Sequence, residues 1–282
     1  MTLTFTKMHG CGNDFVVINA LDALRAWQPS AAQAAFLLDR HRGVGGDQLL
    51  LLYPSNTAAA RMAIYNHDGS AVEMCGNGIR CCARYLHQRG IVPDLTMTIA
   101  TPAGPITPTI VGEQVRVNMG APRLQAAEIP VRGYAGRVIG VAPPVIERGY
   151  VLPPMTCVSM GNPHAVFFVP DVAVVPLAEV GAKVETLALF PHRTNVEFAQ
   201  ILDRTHVRMR VWERGAGITL ACGTGACGTA VAGILNEMLD SPVDIELEGG
   251  TLTIAWPDQN GPVWMTGPAV EVFTGTIEVP GP

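Results

Sequence analysis

The chain of 282 residues suits one large domain or two ordinary ones, and its 48% hydrophobic and 15% charged content can fill a sizeable core. The net charge of −5 gives no basis for nucleic acid or an anionic membrane as partner, and no run approaches the about 18 apolar residues of a membrane span. Seven scattered cysteines, an odd number, do not form a secreted disulfide framework, so a cytoplasmic protein is expected.

The opening "MTLTFTKMHGCGNDF" lacks the basic start and apolar core of a signal peptide. Lys7 in it reads as a capping or solvated residue. Only Lys183 joins it, against seventeen arginines, which makes a Schiff-base cofactor a poor expectation. Ala31 to Arg40 reads as a helix. "RMAIYNHDGSAVEMCGNGIRCCA", Arg61 to Ala83, reads as an alternating strand, a polar turn, a loop and a helix start. That helix runs from Ile79 to Gln88, with Ile79, Cys82, Ala83 and Leu86 on one face and Gly90 as its stop. "TMTIATPAGPITPTIVGEQVRVNMG" reads as short strands broken by Gly and Pro.

The pattern then returns. "RMRVWERGAGITLACGTGACGTA", Arg208 to Ala230, repeats the first block at a constant offset of 147 positions, aligning Tyr65 with Trp212, Asn66 with Glu213 and Cys75 with Cys222. At that offset Gln48 faces Asn195, and "GCGNDFVVI" resembles "SMGNPHAVFFV", with Asn13 opposite Asn162. The helix after Cys222 is small or apolar almost all round, as a central helix wrapped by sheet would be. The last run, "GTLTIAWPDQNGPVWMTGPAVEVFTGTIEV", is again strand-like with an Asn260-Gly261 turn. The expected class is α+β: two related halves, each a curved sheet around a helix, with a small-molecule site between them.

Each half carries Cys-Gly-x-Gly at a helix start. The first backbone N–H groups of a helix lack internal partners and carry positive dipole character, so they can hold a carboxylate without a basic side chain. A cysteine there has its thiolate stabilised and its pKa drawn toward neutrality. Two such sites on one substrate suit stereoinversion, one sulfur taking the α proton and the other returning one. The two thiols would then titrate as a coupled unit, and neither metal nor organic cofactor is required. Cys11, Cys81, Cys82, Cys157 and Cys227 read as core. A Cys75–Cys222 disulfide would be an inactivated form. Zinc is not expected, because C-x2-C pairs with nearby histidines are missing. "GTGACG" is a lone G-x-G-x-x-G match that does not directly follow its strand, so a nucleotide site is not expected. Asp14 and Asp47 read as loop-fixing residues.

In "KMHGCGNDFVVI", "RHRGVGGDQLLLL", "YNHDGSAVEMCGNGIRCCARYL", "GNPHAVFFV", "TNVEF" and "VWERGAGITLACGTGAC" the sequence resembles the diaminopimelate epimerases, cofactor-independent two-thiol enzymes of lysine and peptidoglycan precursor synthesis. The resemblance spans nearly the whole chain. It implies an α+β fold of two pseudo-symmetric domains, residues 1–118 plus 266–282 and residues 119–265. Each would be a curved, mostly antiparallel sheet or barrel around a central helix, with the active site in the interdomain cleft. It implies Cys75 and Cys222 as the acid/base pair, His164 supporting Cys75, and Glu213 supporting Cys222. Backbone N–H groups of Gly76, Asn77, Gly223 and Thr224 would hold the reacting carboxylate. Asn66, Asn162, Asn195 and Arg214 would read the distal amino-acid head, with Asn13 and Gln48 completing the pocket. A homodimer is a family-level expectation.

Local chemistry permits these roles and their alternatives. Asn offers donors and acceptors, and Arg can grip a carboxylate bidentately. Asn13, Asn162 and Asn195 also read as turn residues, Arg214 as a surface ion pair, and His164 as a buried structural histidine. Ile79 and Ile218 depart from the family pattern beside the motifs. A racemase of another amino acid, such as histidine, is the nearest alternative activity, and the distal set argues against it. A non-catalytic amino-acid-binding protein would have no use for both sulfurs, and a thiol redox protein would want C-x-x-C.

Overall fold

The structure, a computed structural model, describes residues 1–72, 75–144 and 151–281. Met74, at the head of the first Cys-Gly-x-Gly stretch, lies outside them. The chain divides into two units, Met1–Asn118 with Gly267–Pro282, and Met119–Thr266.

The first unit contains β1 (Thr2–Gly10), β2 (Asn13–Asn19), α1 (Ala31–Leu38), β3 (Gln48–Tyr53), β4 (Ala60–Asn66), β5 (Ala71–Val72), α2 (Gly76–Gln88), β6 (Ile99–Thr101), β7 (Gly104–Ile106), β8 (Thr109–Val111) and β9 (Gln114–Asn118). The second contains β10 (Met155–Ser159), β11 (Pro163–Phe168), α3 (Leu177–Glu185), β12 (Asn195–Asp203), β13 (His206–Glu213), β14 (Gly217–Ile218), α4 (Gly223–Leu235), β15 (Val243–Leu247), β16 (Gly250–Ala255) and the first three residues of the strand β17 (Trp264–Pro268). Strand β18 (Val270–Glu278) then pairs with β1 and forms an edge of the first sheet.

The repeat is topological. The first sheet runs β18-β1-β2-β3-β4-β6-β7, with β5 on β4; the second contains β10-β11-β12-β13-β15-β16-β17, with β14 on β13. Most pairs are antiparallel. The parallel ones fall at matching places, β2–β3 and β4–β6 in one unit, β11–β12 and β13–β15 in the other. A parallel pair needs a crossover, and α1, α2, α3 and α4 occupy these four connections. The α+β expectation and the curved-sheet-with-helix pattern in each half hold.

Helix α2 packs on β1, β2, β3, β8, β9 and β18, and α4 on β10, β11, β12, β15 and β16. Helix α4 is buried from Gly225 to Gly233, as its composition implies. Helix α2 differs from its reading as amphipathic. It is buried on every side from Asn77 to Leu86, including Arg80 and Arg84. Arg80 satisfies its charge internally, donating to the carbonyls of Pro268 (3.2 Å) and Gly76 (3.3 Å). Helix α1 opens on a Ser30–Gln33 capping box and stops at Leu38, short of Arg40, because Asp39 is extended. Helix α3 was not foreseen. Its Leu177, Val180, Gly181 and Val184 form the buried stripe. Among the described residues, no helix is long and apolar enough to cross a membrane.

The five cysteines read as core are all buried. Burial pushes Cys81 and Cys157 up to about 12. A raised thiol pKa contributes stability that is present below the unfolded value of about 8.5 and lost as pH rises toward the folded value. The melting temperature is therefore expected to hold to about pH 8.5 and to fall steadily toward pH 11. Calorimetry across that range checks it, and a flat profile would contradict it.

Candidate active site

Both Cys-Gly-x-Gly cysteines are helix N-caps. Cys75 is extended, and its Sγ accepts from Gly78 N at 3.4 Å; Cys222 is extended, and its Sγ accepts from Gly225 N at 3.4 Å. Helix α2 therefore starts three residues before Ile79. The first helical bonds run from Ile79 N to Cys75 O and from Ala226 N to Cys222 O. Gly76, Asn77, Gly223 and Thr224 thus supply the leading N–H groups, the ones without intrahelical partners. Each unit so presents an anion cradle beside a sulfur.

In the first unit the β1–β2 turn is Cys11-Gly12, both at positive φ (52° and 79°). Asn13 follows it, accepting from Asn77 Nδ2 (3.2 Å) and lying 3.9 Å from Cys75 Sγ. Its amide donates to Asp47 (2.8 Å). Gln48, at the start of β3, donates across to Asn66 at the end of β4 (3.1 Å), and Asn66 donates to Ser70. Asp14 and Asp47 do fix loops. Each accepts the other's backbone N–H, and Arg40 bridges both carboxylates at 2.7 Å. Lys7 is neither cap nor solvated. It is buried, paired to Asp14 at 2.7 Å, and donates to the Gly45 carbonyl. Burial opposes ionisation of Asp14, but its bonds to Arg40 and Lys7 outweigh that and hold its carboxyl well below the usual range.

The second unit repeats the plan with different chemistry. Asn162 follows the β10–β11 turn and donates to Thr224 Oγ1 (3.2 Å), which lies 3.5 Å from Cys222 Sγ. Asn195, at the start of β12, donates to the Pro163 carbonyl (2.8 Å) and accepts from Arg214 N (2.9 Å) at the end of β13. Arg214 is exposed and donates to the His192 carbonyl (3.1 Å); among the described residues it pairs with no carboxylate. Glu213 accepts from Thr219 at 2.5 Å. His164 is fully buried, with Nδ1 2.7 Å from Glu197 Oε1 and Nε2 3.1 Å from Asn162 Oδ1.

Burial, then the charges of Glu213 and Glu197, pushes the Cys222 thiol well above its ordinary value, against bonds from Thr224 and Gly225. The expected drop toward neutrality does not hold for Cys222: desolvation outweighs the helix N-terminus. Burial likewise raises Glu197, against the neighbouring imidazole.

Sequence reasoning missed Glu197 and Glu185. The first sits inside the apolar run of β12, a place for a carboxylate only if it is paired. The second, on α3, accepts from Trp212 Nε1 (2.7 Å) and Gly215 N (3.0 Å), on either side of Arg214. Ile79 is core, whereas Ile218 is 44% exposed on β14.

The family model for diaminopimelate epimerase matches residues 5–125 and 156–272. A diaminopimelate epimerase of Heliobacterium modesticaldum is 47% identical over 285 residues, covering 98% of this chain and 99% of that one. One from Desulforudis audaxviator is 49% identical over 277 residues, covering 97% and 98%. Among solved structures, a phenazine biosynthesis protein of the PhzF family from Bacillus anthracis superposes with a TM-score of 0.73 at 18% identity, covering 99% of this chain and 100% of that one. A hydroxyproline epimerase from Agrobacterium vitis superposes with a TM-score of 0.66 at 14% identity, covering 98% and 91%. These two share the fold. The match over most of both units, with near half identity to full-length relatives, means that the chain belongs to the diaminopimelate epimerase family.

Proposed function

We propose that the chain interconverts LL- and meso-2,6-diaminopimelate by two-thiol proton transfer, in lysine and peptidoglycan precursor synthesis. Family membership makes it an isomerase. The observation that carries the mechanism is the doubled, sulfur-capped helix start on two units of matching topology.

The N–H groups of Gly76, Asn77, Gly223 and Thr224 hold the carboxylate next to the reacting carbon, favouring the negative charge that grows as the α proton leaves. One sulfur removes that proton as thiolate, and the thiol on the opposite face returns another; the reverse reaction exchanges their roles. Burial and the charges of two carboxylates disfavour the Cys222 thiolate. Glu213 serves Cys222; the resemblance gives His164 to Cys75, whereas both of its ring nitrogens bond within its own unit, to Glu197 and Asn162. Asn66, Asn162, Asn195 and Arg214 read the distal head, with Asn13 and Gln48 beside them. The chemistry calls for no cofactor.

The protein works in the cytoplasm as a homodimer. Edge strand β18 supports the dimer, since it leaves Val270, Val272 and Phe273 42–55% exposed at the edge of its sheet.

The test is incubation of the reduced protein with LL-diaminopimelate in deuterated water, following isomer and label together. Inversion with one solvent deuterium at the inverted α carbon is expected. Binding without exchange would favour the non-catalytic reading, and faster turnover of another amino acid would favour a different racemase.

A further inference from the structure

The two units place different residues at equivalent positions around their sulfurs. At the offset that aligns Gln48 with Asn195, Leu50 aligns with Glu197; counted from the turn asparagines, Phe15 aligns with His164. Strand register agrees, pairing Phe15 with Gln48 and His164 with Asn195. All four side chains are fully buried. The fold therefore closes around one helix start with a Phe–Leu pair and around the other with a His–Glu pair. Burying two ionisable groups where an apolar pair suffices costs stability, so packing does not account for them.

The bonds give the pair a direction. Asn162 Nδ2 donates to Thr224 Oγ1, so its Oδ1 is the atom facing His164 and can only accept. Nε2 must therefore carry hydrogen. The 2.7 Å contact between Nδ1 and Glu197 Oε1 then needs one further proton, on the imidazole or on the carboxyl. Among the described residues, Glu197 Oε2 has no hydrogen-bond partner. With Asn162 donating to Thr224, the threonine hydroxyl is left to donate toward Cys222 Sγ at 3.5 Å. Every link thus donates toward the sulfur.

We propose that Glu197 is a positioning residue of the epimerase. It shares one buried proton with His164, keeps the imidazole protonated on Nε2, and so orders a donor chain through Asn162 and Thr224 to Cys222. Among the described residues, Cys157 on β10, Glu213 on β13 and Cys222 at the start of α4 are the other titratable groups facing this pair. The unit that carries Cys75 has Phe15 and Leu50 in place of the pair, so the device distinguishes the two thiols. The proposal rests on the epimerase reading for its kinetic consequences but not for the proton.

The experiment compares wild type, Glu197→Gln, and the double variant Glu197→Leu with His164→Phe, which copies the pair of the first unit. Nitrogen NMR of labelled histidine is expected to show His164 protonated at Nε2. A downfield proton from the short His–Glu bond should be present in wild type and missing from both variants. Glu197→Gln is expected to keep its melting transition and to lose kcat by about 10–100-fold, the loss typical when a carboxylate orienting a functional imidazole is removed. The limb of its kcat/KM profile that reports Cys222 should move up by about one pH unit, as loss of one supported hydrogen bond to that sulfur implies. An imidazole bare at Nε2 overturns the proposal. So does wild-type kcat with an unmoved limb in Glu197→Gln, or, should that variant unfold, wild-type activity in the double variant. A wild-type protein with no activity on diaminopimelate would sink the functional reading alone, leaving the NMR result to decide the shared proton.

Discussion

Cys75→Ser and Cys222→Ser are each expected to fold at least as well as the parent and to lose epimerisation by about 10²–10⁴-fold. Both cysteines are N-caps, each accepting one backbone N–H at 3.4 Å. Serine is a preferred residue at that position, and its oxygen is the stronger acceptor, so the cap improves by a fraction of ~1 kcal/mol. Capping alone would favour serine at both places. What serine lacks is an ionisation near working pH, and two-base inversion needs that on both faces. The single variants should also differ from each other in exchange. Cys222→Ser keeps Cys75, so solvent deuterium should enter only the isomer whose α hydrogen faces Cys75, without inversion; Cys75→Ser should label the other isomer. The double variant should do neither. Full inversion by either single variant would sink the two-base mechanism, and a lowered melting temperature in both would show that the cap argument is wrong.

The sequence was most legible where the repeat constrained it. Tyr65 and Trp212, Asn66 and Glu213, and the two cysteines align at one offset, and the matching strands β4 and β13 and helices α2 and α4 follow. Two copies of a pattern carry the information that one lacks: a single Cys-Gly-x-Gly is more simply a buried cysteine near a turn. Legibility ended where burial came from the other side of the sheet. The arginines Arg80 and Arg84 signal a solvated helix face locally, but α2 is enclosed by strands from both ends of its unit. Lys7 failed for the same reason, since its partners Asp14 and Gly45 reach it through strand pairing and a distant loop. Helix α3 carried a readable stripe in Leu177, Val180, Gly181 and Val184, obscured by the Gly. Its Gly181 is there because a Cβ would come 2.6 Å from Trp212 Cβ. Glu197 was visible only as a carboxylate inside an apolar strand, and its partner His164 lies 33 positions away in sequence.

Gly225→Ala is expected to cost about 10²-fold in activity and ~1–3 kcal/mol in stability, although helix propensity alone predicts a gain of about 1 kcal/mol. The added Cβ would stand 2.8 Å from Glu197 Oε1 and 3.3 Å from Cys222 Sγ. A flexible side-chain tip would simply move aside. This one is held by His164 at 2.7 Å in a fully buried place, so relief means displacing the imidazole, the sulfur or the helix start. Any of these shifts the sulfur against the N–H groups that define its geometry, and displacements of about 1 Å at reacting groups cost about that much rate. The equivalent glycine of the first unit supplies the control. At Gly78 the added Cβ would meet Leu50 Cδ2 at 3.2 Å, an aliphatic end free of hydrogen bonds that can rotate away. Gly78→Ala should therefore keep most of its stability and lose less activity than Gly225→Ala. The comparison is read by melting curves and by kcat and KM for both variants under one set of conditions. Equal losses would mean that the Glu197 carboxylate is not rigidly held; a larger loss at Gly78 would place the tighter constraint on the Cys75 side.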